Sequence, residues 1–280
     1  MIWRGNGFKF DLTDRVLVMG IINLSPDSFY QNSYYAPDRI IEVALQMEED
    51  GADIIDIGAQ STRPGADEIP IEEEKRRIRA VLPRLAEMVS IPISVDTYRA
   101  RIAEYALNHG AKIINDISAL RFDQKMVTVV KKYDCGIVIM HIRGKPKDMQ
   151  KNPEYRDVVR EVYTHLRSRL DYLRSAGIDL NRVVIDPGLG FGKRLEHNYI
   201  LIRNLTTFSD LGRPILVGIS RKSFTGVPLN IPPQERLATS IALETIAIMN
   251  GAKILRVHDV KEVNRVVRII KEFTRCQSSV

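Results

Sequence analysis

Cysteine is nearly absent from the 280-residue chain: Cys135 lies inside an apolar run and Cys276 near the C-terminal end. Two isolated thiols make neither a metal-type pair nor a disulfide framework, which points to a reducing, cytoplasmic setting. Long hydrophobic runs are missing as well. No stretch approaches the roughly 18 apolar residues of a membrane span, and MIWRGNGFKFDL lacks the continuous apolar stretch of a secretory signal. Charge of one sign is also scarce, since 41 Lys and Arg against 35 Asp and Glu leave only +6. The basic residues mostly stand beside acidic ones, as in EEEKRRIR at 72–79, which reads as solvated helix faces rather than a nucleic-acid surface. A mild positive field would still suit an anionic substrate.

What is present is an ordinary globular composition, 44% hydrophobic and 27% charged, able to bury a core. The length permits one large α/β domain or two small ones. No linker, low-complexity tract or composition shift divides the chain, so residues 1–280 are expected to form a single domain.

Short apolar runs alternate with amphipathic segments throughout. The strand candidates are RVLVMGII (15–22), DIIDI (53–57), IPISV (91–95) and KIIN (112–115), then GIVIM (136–140), RVVID (182–186), PILVG (214–218) and KILRV (253–257). Helical patterns lie between them, clearest at 155–176, where Val158, Val162, Leu166, Leu170 and Leu173 form one stripe before Gly177. Eight such units of roughly 35 residues predict a (β/α)8 TIM barrel, with a doubly wound open sheet as the alternative. IWR-GNG-FKFDL reads as an N-terminal β-hairpin with a Gly-Asn-Gly turn, placed to cover the barrel bottom.

GADII (51–55), GAKII (110–114) and GAKIL (251–255) are near copies of one another. Each begins with a glycine placed to end the preceding helix. The residue after each copy is Asp56, Asn115 or Arg256, and VVID puts Asp186 in the same register. These positions fall on the second, fourth, sixth and eighth strands, and alternate strands of such a barrel supply one interior layer. Asp56, Asn115, Asp186 and Arg256 are therefore predicted to form a polar layer at the barrel top. Strand alternation turns Asp116 the other way, toward a strand-end or helix-capping role.

Barrels of this kind carry their chemistry on the loops after the strands. Those loops read NLSPDSF (23–29), GAQSTRPGA (58–66), SVDTYR (94–99), IND, MHIRG (140–144), DPGLGFGK (186–193), GISRKSF (218–224) and RVHDVKE (256–262). Each fragment alone is weak. Eight polar loops converging on one mouth are hard to explain as structure alone.

The set resembles the dihydropteroate synthase family over nearly the whole chain. The pieces are MGIINLSPDSF, DIGAQSTRPGA, ISVDTYRA, GAKIINDIS, VIMHIRG, VVIDPGLGFGK, VGISRKSF and RVHDVKE, in the family's order. The resemblance implies condensation of a pterin carrying a CH2-pyrophosphate arm with p-aminobenzoate, assisted by Mg2+, in folate biosynthesis. It assigns Asp96, Asn115 and Asp186 to the pterin, with Lys222 donating to the ring and Ile117 and Met140 as apolar walls. It gives the pyrophosphate to Asn23, Arg63, Arg256 and His258, with Asn23 also helping to hold Mg2+. Phe29, Thr62, Arg63, Pro64, Phe191, Lys222 and Ser223 would surround the p-aminobenzoate. The implied catalytic set is Asp96, Asn115, Asp186, Lys222, Arg256 and His258, and a homodimer is the family expectation.

Residue chemistry is compatible with these roles. A flat heterocycle with adjacent donors and acceptors needs carboxylates and amides in a dry pocket. A leaving pyrophosphate needs cationic clamps, and Arg256 and His258 share a strand parity that lets both face the mouth. An aromatic amine is nucleophilic when neutral, so the lack of a Ser-His-Asp or Cys-His set is no obstacle. The chain departs from the family pattern in three places. Tyr30, Gln31, Asn32 and Ser33 follow Phe29 where Ser-Asp-Gly-Gly is usual, Gln60 stands for a common Glu, and Ser25 for Thr. Asp38 lies too far along to replace the missing loop carboxylate. The competing family, methyltetrahydrofolate-binding corrinoid methyltransferases, shares the barrel and the pterin pocket. It handles no pyrophosphate and has no reason to keep STRPG, SRKSF and RVHD together.

Overall fold

The computed structural model describes residues 1–24 and 37–277. Two short strands, β1 (Ile2–Gly5) and β2 (Phe8–Asp11), pair antiparallel with Gly5 opposite Phe8. Then follow β3 (Leu17–Asn23), β4 (Ile54–Gly58), β5 (Ile93–Asp96), β6 (Ile113–Asp116), β7 (Gly136–Met140), β8 (Val183–Asp186), β9 (Ile215–Val217) and β10 (Ala252–Val257). These eight are parallel and close into a barrel in chain order, β10 returning to β3. The closed barrel is the predicted architecture, and the open sheet is excluded.

The outer helices are α1 (Pro37–Glu49), α2 (Ile71–Met88), α3 (Ala100–Asn108), α4 (Met126–Tyr133) and α5 (Val158–Ser175). They continue with α6 (Leu195–Arg203), α7 (Thr206–Ser209), α8 (Ser223–Gly226), α9 (Leu237–Met249) and α10 (Val260–Gln277). Single-turn α7 and α8 flank β9, so the eightfold alternation stands. The stripe predicted over 155–176 is the buried face of α5, which starts later because Asp157 caps it, accepting from the Arg160 N–H at 3.0 Å. Gly110, at φ 105°, ends the segment after α3 in the left-handed region, and its repeat partners Gly51 and Gly251 do the same.

Strand parity divides the core into two shells. Leu17, Met19, Ile54, Ile113, Val138, Val184, Leu216 and Ile254 fill the barrel interior, and Trp3 and Leu12 close it from below. The hairpin thus covers the barrel bottom, with the Trp3 Nε1–H donating to the Arg182 carbonyl at 3.0 Å. The opposite parity, including Val18, Ile55, Val95 and Ile114, packs beneath the helices against Ile78, Leu82, Leu166 and Leu170. One expectation is corrected. Glu74, within the run read as a solvated helix face, is buried and accepts from Thr97 Oγ1 at 2.7 Å and Arg99 Nη1 at 2.8 Å. The run lies on an amphipathic helix, and only this one of its three glutamates falls on the face turned to the β5 loop.

Candidate active site

The polar layer sits at the C-terminal end of the barrel. Arg256, the penultimate residue of β10, donates from Nε to Asp56 Oδ2 at 2.6 Å and from Nη2 to Asp96 Oδ2 at 3.0 Å. Asn115 Nδ2 donates to the same Asp56 oxygen at 3.3 Å. Asp56, Asp96, Asn115 and Asp186 are all buried. Four side chains from β4, β5, β6 and β10 therefore share one guanidinium-centred network. Asp186, on β8, accepts from the Gly188 N–H at 2.7 Å.

The network leaves acceptors over. Asp56 Oδ1 and Asp96 Oδ1 are buried without a hydrogen-bond partner among the described residues, as is Ser94 Oγ. Such orphaned acceptors carry a free-energy penalty on the order of 1–3 kcal/mol each, which a donor-rich ligand would relieve. Burial drives the Asp96 carboxyl up to about 7, against the opposing pull of Arg256. Burial likewise raises Asp186, opposed by Lys222, and lowers Lys222 itself to about 8.

Beside the carboxylates stands an apolar wall. Tyr98, Ile117, Met140, Ile142 and Met149 form a buried cluster with Phe122 and Phe191 packed against it. Lys222 Nζ lies 4.7 Å from the Phe191 ring centroid and donates to the Leu189 carbonyl at 2.5 Å. The glycine-rich loop comes this close because Gly188, at φ 71°, packs on strand β7: a Cβ there would sit 1.9 Å from the His141 carbonyl oxygen.

The loops after β9 and β10 are stapled together. Arg221, at φ 56°, donates to both Asp259 oxygens at 2.6 and 2.8 Å, and its N–H donates to Ser240 Oγ at 2.9 Å. Ser220 Oγ accepts from the His258 N–H and lies 3.2 Å from His258 Nδ1. These contacts fix Lys222 between its neighbours and place Ser223, exposed, at the start of α8. His258 is exposed at the rim, and it is pushed down to about 4 by desolvation among its neighbours, then by Arg256, with Arg221 and Arg63 adding to the effect. Three guanidiniums around a neutral imidazole make this rim a place for an anion.

Thr62, Arg63 and Pro64 ride on the loop after β4. Thr62 is half-buried, whereas Arg63 and Pro64 are exposed. Gln60 closes this loop, donating to the Ser61 and Asp67 carbonyls at 2.9 and 3.0 Å and accepting from the Ile69 N–H at 2.8 Å. A carboxylate could not supply the two donations, so the departure to Gln has a structural use. Asn23, the last residue of β3, shares the inward parity of Leu17 and Met19 and lies opposite Gly58. Asp38 is on the outside, paired with Arg84. Phe29, Ser25 and the stretch Tyr30 to Ser33 lie outside the described residues.

Asp116 is satisfied structurally. It accepts from the Ser118 N–H and Oγ at 2.7 and 2.6 Å and from the Leu120 N–H at 3.1 Å. That grip holds Ala119 and Leu120 at φ 54° and 63°, a left-handed turn unfavourable for such residues. Other supporting residues escaped the sequence reading. Lys193, buried, donates to His141 Nδ1 at 3.0 Å and the Phe191 carbonyl at 3.1 Å, joining the loops after β7 and β8. Its partner is 52 positions away, so no local pattern could have revealed the pair. Asp56, by contrast, was marked by the repeat alignment without being given a role in the site.

A family model described as pterin binding enzyme matches residues 19–258. The dihydropteroate synthase of Escherichia coli strain K12 is 41% identical over 255 residues, covering 91% of this chain and 90% of that protein. That of Synechocystis sp. is 40% identical over 268 residues, covering 95% and 93%. Among solved structures, Yersinia pestis dihydropteroate synthase with a sulfonamide drug complex superimposes with a TM-score of 0.93 at 40% identity, covering 99% of this chain and 100% of that one. Xanthomonas albilineans dihydropteroate synthase in complex with 7,8-dihydropteroate gives 0.88 at 34%, covering 98% and 99%.

Proposed function

The chain belongs to the pterin-binding enzymes, as a member of the dihydropteroate synthase family, and from that premise we propose how its own residues carry the reaction. It joins 6-hydroxymethyl-7,8-dihydropterin pyrophosphate to p-aminobenzoate, giving 7,8-dihydropteroate and pyrophosphate. The observation that supports the assignment best is Asp96 Oδ1, a buried acceptor without a partner among the described residues, in a mouth walled by Ile117 and Met140. The pterin edge, rich in N–H donors, supplies what that oxygen lacks.

In this reading Asp96, Asn115 and Asp186 hold the pterin edge, and the ring lies against Ile117 and Met140. Lys222 donates to the ring and lies over Phe191, which with Thr62, Pro64, Ser223 and Phe29 bounds the p-aminobenzoate. Arg63, Arg256 and His258 meet the pyrophosphate arm. The CH2–O bond breaks with its electron pair leaving on pyrophosphate, and the cationic rim offsets the growing negative charge. The positive charge left on CH2 spreads into the pterin ring. The amine lone pair then forms the C–N bond, and the ammonium proton leaves to water. Holding the two substrates in contact supplies much of the remaining acceleration.

Mg2+ belongs to the proposal as an ion carried chiefly by the substrate. Among the described residues no group of three or more His, Cys, Asp or Glu side chains could hold a metal ion. The single neutral amide of Asn23 suits Mg2+, which keeps most of its waters and takes its other ligands from phosphate oxygens. When bound, it would neutralise part of the pyrophosphate charge.

The whole chain, 1–280, is read as one domain acting in the cytoplasm; no described helix is long and apolar enough to cross a membrane. A homodimer is supported by exposed apolar side chains, namely Val227, Leu229, Ile246, Met249, Ile269 and Phe273. Pyrophosphate release measured with and without p-aminobenzoate, and with and without Mg2+, tests the reading. Release dependent on both supports it. Methyl transfer from methyltetrahydrofolate to a corrinoid, without pyrophosphate chemistry, would overturn it.

A further inference from the structure

Adjoining the mouth across Ile142, a cavity of about 490 Å3 opens between the loop after β7 and the first turns of α5. Its lining includes Arg121, Arg143, Arg160, His141, His165 and Glu161. Three guanidiniums from three separate elements thus converge on one space with a single carboxylate among them. That carboxylate is already engaged: Glu161 Oε1 accepts from the Arg156 and Asp157 N–H groups at 2.8 and 3.2 Å, and Oε2 lies 3.7 Å from Arg143. Arg121 donates only to carbonyls, those of Ser118 and Ile142, both at 3.1 Å. Arg160 bonds through its backbone N–H to Asp157, and its exposed guanidinium has no ion pair among the described residues, the neighbouring Glu161 being paired with Arg143. Arg160 is therefore left without a carboxylate partner among the described residues, and Arg121 has only the buried Asp116 nearby, which is itself held by the Ser118–Leu120 turn.

The histidines agree with this charge balance. His141 and His165 meet edge to face, ring centroids 4.9 Å apart. His141 Nδ1 lies 3.0 Å from Lys193 Nζ, and burial, followed by Lys193 and His165, holds the His141 ring well below the usual imidazole range and so neutral. His165 is pushed down to about 4, first by burial and then by Arg121, Arg169 and Lys193. A cation would be repelled by these groups and would find only one carboxylate. An anion would find the Arg121 and Arg160 guanidiniums facing it and two neutral imidazoles able to donate an N–H.

We propose that this cavity, which shares none of the charged residues of the barrel mouth, binds a phosphate-type anion. Its volume lies within the range of small-molecule pockets, on the order of 300–1,000 Å3, so a phosphate ester with a small organic part would fit. The inference stands on the residues of the cavity itself and not on the assignment of the mouth.

The test uses the full chain with inorganic pyrophosphate and inorganic phosphate, in Mg2+-free buffer, read by calorimetry and by histidine-ring NMR. Two binding events are expected for pyrophosphate. Arg160→Glu should weaken one of them at least tenfold, and Arg256→Ala should remove the other. The ring resonances of His141 and His165 should move on titration in the Arg256→Ala protein and stay still in Arg160→Glu. Arg160 is exposed on a helix surface, and an unchanged melting temperature will show that its variant is folded. A single event abolished by Arg256→Ala and unmoved by Arg160→Glu would overturn the proposal. Binding that survives Arg256→Ala but is lost in Arg160→Glu would support the cavity and count against the mouth assignment instead.

Discussion

Arg256 Nη2 lies 3.0 Å from Asp96 Oδ2, while the other Asp96 oxygen has no partner among the described residues. One oxygen of this carboxylate is spent on the protein and the other is left for a ligand. Asp96→Asn keeps an acceptor for Arg256 but loses the charge, and pterin affinity is expected to fall by about 30- to 1,000-fold, or ~2–4 kcal/mol. Because burial raises Asp96 to about 7, its charged form appears only as pH rises through that value. Wild-type affinity should therefore climb from about pH 6 to 7.5, and the variant should lack that rise, keeping only the decline as Lys222 loses its proton near pH 8. Calorimetric titration with a pterin across that range checks both.

Asp116 is adjacent to Asn115 but its three hydrogen bonds all close the turn at Ser118 to Leu120. Asp116→Ala should cost about 2–4 kcal/mol in urea unfolding and leave pterin affinity within a few-fold of wild type. The milder Asp116→Asn should lower stability less. A folded Asp116→Asn protein unable to bind pterin would place the carboxylate in the site and refute the strand register.

The register shows what kind of information the chain displays openly. Asp56, Asn115 and Arg256 could be aligned because each follows a copy of one five-residue pattern, and side-chain alternation then sets their direction. The hairpin is legible by a different route, its Gly-Asn-Gly turn, whereas nothing local singles out Trp3 as its plug. Glu74 and the Lys193–His141 pair were hidden for the opposite reason. A buried glutamate in EEEK differs from its exposed neighbours only by which side of a helix meets the β5 loop. A lysine that finds its acceptor 52 residues away leaves no periodic trace. The polar layer at the barrel top is more legible than the residues that brace it, because its members sit at strand ends, where direction follows from parity.

Trp3 is fully buried under the barrel, with its ring 5.3 Å from that of Phe8 and its indole N–H bonded to Arg182. Trp3→Ala removes a large side chain and leaves the Arg182 carbonyl without this donor. A loss of about 3–5 kcal/mol is expected in denaturant unfolding. The mouth is at the other end of the barrel, so KM for both substrates should change less than about threefold at temperatures where the variant is folded. A large change in KM would mean that the plug sets the geometry of the strand ends.

Glu244 presents the reverse situation, a buried acid that nothing described engages. Both of its oxygens are buried without partners among the described residues, and burial, reinforced by Asp259, raises it to about 8 from its usual 4.5. The folded protein keeps this proton at neutral pH, whereas the unfolded chain releases it above about pH 4.5. The stabilisation from holding the proton is complete below that pH and is lost as pH rises through about 8. Relative to a residue that does not titrate, the penalty near pH 7 is on the order of 3 kcal/mol. Glu244→Leu should therefore match or modestly exceed the wild type at pH 5 and exceed it by about 2–4 kcal/mol at pH 8. Urea midpoints at the two pH values measure the difference. A variant that loses stability at pH 8 would reveal that the ionised Glu244 carboxylate has a partner holding α9 against the loop that carries Arg221.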